Sequence, residues 1–173
     1  MDGTVLELGK AGTAGVAKGV VPVLSGGAVV ATLHASNWKE SATAVVGDRT
    51  WVFGKQGREL TARWEADLES SARLSARQTS LWKGTWELEL DGAVVEMTSL
   101  SYWHGTHRYT AGGRTVAESG TTGGWSPRPT LTADAGLPLA TQVFLLWVEL
   151  VITRRNTAVV VGATTAAVIG GSS

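Results

Sequence analysis

The chain has 173 residues, fifteen of them basic and fifteen acidic, for a formal net charge of zero, and charged residues make up only 17% of it. With no basic excess to condense on a phosphate backbone, nucleic-acid binding is not expected. Cysteine is absent, which excludes disulfide frameworks, thiolate metal sites and cysteine nucleophiles together and fits a reducing cytoplasm.

Glycine is abundant at 22 residues and tryptophan unusually so at eight. Many tight turns, with bulky indoles to fill the space between strands, favour a single all-β domain. The opening decapeptide MDGTVLELGK carries an acid at its second position and no apolar block before Lys10, so no secretory signal is expected. Residues Thr4–Leu8 read as the first strand. The apolar stretch Ala14–Leu24 is broken by Gly19 and Pro22, and reads as two short strands or as one strand with a bulge. Ala28–His34 and Ala42–Val46 follow. Next comes a hairpin in which Trp51 and Phe53 lead in, Gly54 to Gly57 turn the chain, and Leu60, Ala62 and Trp64 return. Ala72–Arg77 is a further strand candidate.

The clearest local pattern is TWELELDGAVVEM. Trp86, Leu88 and Leu90 alternate with Thr85, Glu87 and Glu89, the period of a half-buried strand. Asp91-Gly92 is the favoured pair for a two-residue type I′ turn. That turn sets Leu90 against Ala93, Leu88 against Val95 and Trp86 against Met97. It also sets Glu87 against Glu96, a like-charge pair that needs a cationic neighbour or water. In HRYTAGGRTVAE, Gly112-Gly113 turns the chain and places Tyr109 opposite Val116. Pro129–Ala133 is the last strand candidate.

Residues 137–153 then form a helix whose stretch LPLATQVFLLWVELVI is the longest apolar run in the chain. Val143, Phe144, Leu146, Trp147 and Leu150 leave it almost no polar face, and such a helix must be enclosed by protein or lipid. A spanning helix needs about 20 apolar residues. This run is shorter, closes on Arg154 and Arg155, and contains Glu149, so protein is expected to enclose it and no transmembrane segment is expected. The economical enclosure is a closed sheet, which also removes exposed strand edges. The domain therefore occupies residues 1–155, and residues 156–173 form a small-residue tail in which neither helix nor strand period prevails.

Many short strands followed by a C-terminal apolar helix resembles the tubby-like β-barrel superfamily, which includes the tubby C-terminal domain, the phospholipid scramblases and the LURP-one-related proteins. The likeness is greatest to small bacterial members of the scramblase and LURP-one type. It is carried by Trp86-Glu87-Leu88 with its Asp91-Gly92 turn, by Tyr109 and Val116, and by Pro129-Thr130-Leu131 leading into Leu137-Pro138 and Val143-Phe144-Leu145-Leu146-Trp147. The resemblance implies a closed barrel of about twelve antiparallel strands around a buried C-terminal helix, and a connection with membrane phospholipid. The chain departs from the scramblases in lacking a cysteine-rich palmitoylation segment, a proline-rich N-terminal region and an acidic loop with calcium-ligand spacing. It also offers no match for the cationic phosphoinositide-binding residues of tubby.

Several residues invite a chemical reading. His104 and His107 form an H-x-x-H pair, but on a strand they face opposite sides; the expectation is surface histidines rather than a metal site, with Glu118 opposite His107 the nearest third ligand. Glu149 needs a partner inside an apolar helix; Arg63, Arg108 and Arg114 are candidates, and a structural role is expected. The stretches GKAGTAG and SGTTGGWS read as turns, since neither fits a phosphate-loop pattern. No nucleophile elbow is present. Loop tryptophans Trp38, Trp103 and Trp125 suit a membrane interface, Trp103 and Trp125 foremost. The function these features favour is a non-enzymatic module without metal or cofactor, cytoplasmic or peripheral at a membrane, binding phospholipid headgroups or a protein partner. The rivals are a purely structural or assembly protein, a small metal-dependent enzyme resting on the histidines, and a C-terminally anchored protein.

Overall fold

The computed structural model describes residues 3–101 and 105–169, with helix side chains described through residue 162. Twelve antiparallel strands close into a barrel in chain order, the first bonding to both the second and the last. They are β1 (Gly3–Leu8), β2 (Val21–Ser25), β3 (Ala28–Ala35), β4 (Ala42–Val46), β5 (Arg49–Gln56) and β6 (Glu59–Trp64). The circuit continues through β7 (Leu74–Ser80), β8 (Thr85–Leu90), β9 (Ala93–Ser101), β10 (Thr106–Ala111), β11 (Arg114–Thr122) and β12 (Arg128–Asp134). One helix, α1 (Leu139–Ile169), follows and runs up the lumen, touching β12, β1, β4 and β7 around the wall.

An eight-stranded barrel is filled by its own inward side chains, so a wider one needs a separate filler. The inward positions here are graded to receive a helix. Large residues such as Leu6, Leu33, Phe53, Leu60, Leu88 and Leu131 alternate with Ala31, Ala44, Ala62, Ala76, Ala117 and Ala133, and all are buried. The alanines leave room for a rod about 10–12 Å across. Into it point Val143, Phe144, Leu145, Leu146, Trp147 and Val148, none more than 1% exposed. Leu150 is half-buried against the same core. Phe53 of the wall meets Phe144 and Trp147 of the helix at ring-centroid distances of 5.6 and 5.3 Å. At the seam, Gly3 leaves no space: a Cβ there would sit 2.3 Å from the carbonyl oxygen of Ala133.

The β8–β9 hairpin has the register expected from its turn, with Trp86 opposite Met97, Leu88 opposite Val95 and Leu90 opposite Ala93. Asp91 and Gly92 have φ of 50° and 84°, as a type I′ turn requires. Glu87 does face Glu96, and Arg77 of β7 donates to its Oε1 at 3.1 Å. Other expectations need correction. A register shift between Tyr109 and Thr110 pairs Tyr109 with Ala117 rather than Val116, and Glu118 with Arg108 rather than His107. Gly54 lies within β5, which runs to Gln56, so the turn is Gly57-Arg58. Residues 9–20 are a loop, and only Val21–Ser25 forms a strand there. The helix begins at Leu139, just after Pro138, and continues to Ile169, through most of the 156–173 segment in which neither period prevails.

Antiparallel order fixes which loops share an end. Since β12 runs down the wall and α1 returns through the lumen, the helix emerges at the end bearing the loops after β1, β3, β5, β7, β9 and β11. We call this the exit end. Two contacts tie the emerging helix to it: Arg154 donates to the carbonyl of Ser36 at 2.8 Å, and Arg155 makes a bidentate pair with Glu40 at 2.5 and 2.7 Å.

Candidate functional site

Glu149 is carried by α1 into the lumen near the exit end and is 2% exposed. Its partners come from β10, where alternation turns both His107 and Tyr109 inward. The Tyr109 hydroxyl donates to Glu149 Oε1 at 2.6 Å, and His107 Nδ1 lies 2.9 Å from Oε2. One proton lies between His107 Nδ1 and the Glu149 carboxyl, and the contact fixes the orientation of the ring. The backbone N–H of His107 is in turn held by Ser119 Oγ of β11 at 2.8 Å. Burial first, then the charge and hydrogen bond of Glu149, push the Tyr109 phenol well above its ordinary pKa. None of the arginines expected beside Glu149 is there. Arg108 pairs with Glu118, Arg114 with Asp134, and Arg63 donates to backbone carbonyls of Trp64, Glu65 and Asp67. The wall turns those guanidinium groups outward, away from the lumen.

His107 is therefore not a surface histidine. It lines a cavity of about 340 Å³ at the exit mouth, between α1 and the wall from β7 to β10. Gln78, Ser99, Ser101, Arg155 and Asn156 supply polar groups around it, and Trp86 and Ile152 supply apolar wall. Nε2 of His107 has no hydrogen-bond partner among the described residues. The Arg155 guanidinium lies 5.5 Å from the Trp86 ring centroid, with Nε and one terminal nitrogen committed to Glu40.

Around this mouth the exposed side chains are sorted by type. Trp38, Trp82 and Trp125 stand on exit-end loops, each more than nine-tenths exposed, with Leu81 beside them. Lys10, Lys18, Lys39, Arg58 and Lys83 occupy the same loops, and Lys55 reaches in from β5 to Glu40 at 3.5 Å. Glu40 is the sole acid in the described loop residues of this end, and Arg155 first, then Lys55, hold its carboxyl below the usual range. Beyond Arg155 the helix projects outward with Val159, Val160 and Val161 exposed. Acids collect at the other end instead, at Asp48, Asp91 and Asp134.

Of the residues singled out from sequence, Trp103 and His104 lie outside the described residues, and Trp125 is exposed. Tyr109 as a partner of Glu149, and Trp82 as a loop tryptophan, were missed. The inward phase shared by residues 107 and 109 was available as a clue to the first. Among the described residues no three His, Cys, Asp or Glu side chains converge as metal ligands, and no helix is long and apolar enough to cross a membrane. The chain matches no protein-family model, and neither a curated protein nor a solved structure is significantly similar to it.

Proposed function

We propose that the barrel is a non-enzymatic module that docks, exit end first, on an anionic phospholipid surface. The observation that carries this reading is the gathering of exposed tryptophans and loop lysines at one end, around an emerging apolar helix. Indole rings favour the headgroup level of a bilayer. Lysine or arginine close to an anionic surface contributes about 1 kcal/mol each, and this attraction is screened over a Debye length. Val159, Val160 and Val161 add apolar surface that lies in the interface rather than across the bilayer. Kinship with the tubby-like barrels belongs to the same proposal; a closed sheet wrapped around a C-terminal helix supports it, and the chemistry of the exit end is argued independently of it.

Co-sedimentation with vesicles tests the reading. Binding is expected to phosphatidylcholine vesicles containing phosphatidylserine, weakly or not at all to phosphatidylcholine alone, and to fall at high salt. The Trp38→Ala/Trp82→Ala/Trp125→Ala triple variant should bind at least tenfold less without losing thermal stability. Lack of binding to anionic vesicles at low salt overturns the proposal. Should the protein instead elute as a concentration-dependent oligomer held by the helix extension, the rival reading of an assembly protein takes its place.

A further inference from the structure

We propose that the cavity lined by His107 is a binding site for a phosphoryl group. Three features point there independently of the surface around it. The first is a histidine side chain 8% exposed that lines the cavity, held by the Glu149 carboxyl through Nδ1 and with no partner for Nε2 among the described residues. An apolar residue would fill the wall at lower cost than a buried carboxylate with two polar partners. The second is Arg155, whose guanidinium is oriented by Glu40 while Nη1, without a hydrogen-bond partner among the described residues, is available to the cavity. The third is the composition of the rim: Gln78, Ser99 and Asn156 add neutral donors, and among the described residues no carboxylate lines the cavity directly.

A phosphoryl group satisfies this set better than a carboxylate or a neutral ligand. Its anionic oxygens accept from Arg155 and the neutral donors, as guanidinium forks favour. Toward Nε2 it works in either protonation state. A singly protonated phosphate donates its P–OH to the neutral ring, and a fully ionised one accepts from the imidazolium, whose charge Glu149 then balances. The volume is at the small end for ligand pockets, which span roughly 300–1,000 Å³, and suits a phosphate with a short attached group. The inference rests on the docking reading only for the source of that group, which is a lipid headgroup if the exit end lies on a bilayer and a free phosphate or soluble monoester if it does not.

The test uses the full chain labelled with 15N-histidine, titrated at constant pH and ionic strength with inorganic phosphate and, separately, with dihexanoyl phosphatidic acid kept monomeric. The expected result is a saturable shift of the His107 Nε2 resonance, with the half-saturating concentration raised about tenfold by Arg155→Lys and severalfold by Gln78→Ala. Gln78 takes no part in the Arg155–Glu40 pair, so the latter variant leaves the helix clasp intact. Tighter saturation by the phosphatidic acid than by phosphate identifies a headgroup site, and equal saturation a soluble phosphoryl ligand; both support the site. A His107 resonance that does not move, or that saturates in both variants at the parent's concentration, overturns it. Vesicle binding is measured separately, so loss of docking and loss of the cavity site are told apart.

Discussion

Tyr109 and Glu149 show how a single buried charge is made tolerable. The carboxyl is held in the lumen by two hydrogen bonds, one donated by the Tyr109 hydroxyl and one shared with His107 Nδ1. Hydrogen bonds to a charged group contribute about 1.5–3 kcal/mol each, so Tyr109→Phe is expected to lower stability by about 2 kcal/mol, read as a shift in denaturant midpoint at unchanged slope. The phenol also predicts a pH response. Its folded pKa is raised above the unfolded value, so its contribution is complete below about pH 10 and is lost as pH rises beyond it, because the unfolded state ionises first. Alkaline difference absorbance should show Tyr109 ionising only as the barrel unfolds, and Tyr109→Phe should flatten the alkaline decline of stability. A phenolate signal from Tyr109 in the intact barrel would contradict this. The partners of Glu149 could not be read from sequence, since His107 lies 42 positions away and only closure of the sheet brings it near.

At the scale of elements, α1 has two regimes on one continuous helix. From Val143 to Val148 it is a plug, and from Thr153 to Gly162 it is exposed except for Arg155. The clasp between them is Arg155 with Glu40 and Arg154 with the Ser36 carbonyl. Because the Glu40 carboxyl is held below its usual value of 4.5, the clasp is complete above about that pH and is lost as pH falls through the lower folded value. The pair is partly exposed, so less than about 1 kcal/mol of global stability is at stake. Backbone amide exchange in residues 36–41 and 153–158 should therefore rise on acidification before the barrel opens, and Glu40→Gln should show that faster exchange already at neutral pH. Equal exchange in variant and parent would remove the clasp. The sequence placed the end of the helix at Arg154 and Arg155; burial stops there, but the helix itself continues to Ile169, which was not legible. Val, Thr and small residues suit either state, and the preceding plug, already helical, supplies the nucleus that a lone segment lacks.

The whole molecule combines a wall with twelve strands, a filler and a polarised pair of ends. Truncation separates these parts. A chain ending at Asp134 loses the filler, leaves the lumen lined by apolar side chains with nothing to pack on, and should fail to give cooperative unfolding. One ending at Asn156 keeps the plug and should melt within a few degrees of the full chain. It should nevertheless bind anionic vesicles roughly tenfold less tightly, since removing exposed apolar side chains forfeits their transfer into the interface. A large loss of stability in the shorter truncation would show that the helix extension belongs to the fold rather than to the docking surface.

The sequence by itself determined the strand character of the wall, the register of the 85–97 hairpin and the need to enclose residues 143–152, because each follows from short-range periodicity, turn chemistry or the cost of wetting an apolar rod. The tertiary structure alone decided the slipped register at Tyr109, the company of Glu149 and the sorting of tryptophan and lysine to one end. A bulge is a choice made between paired strands, and a buried carboxylate is matched by whatever the closed sheet brings opposite. Alternate loops of an antiparallel barrel, scattered along the chain, become one surface only when the circuit closes.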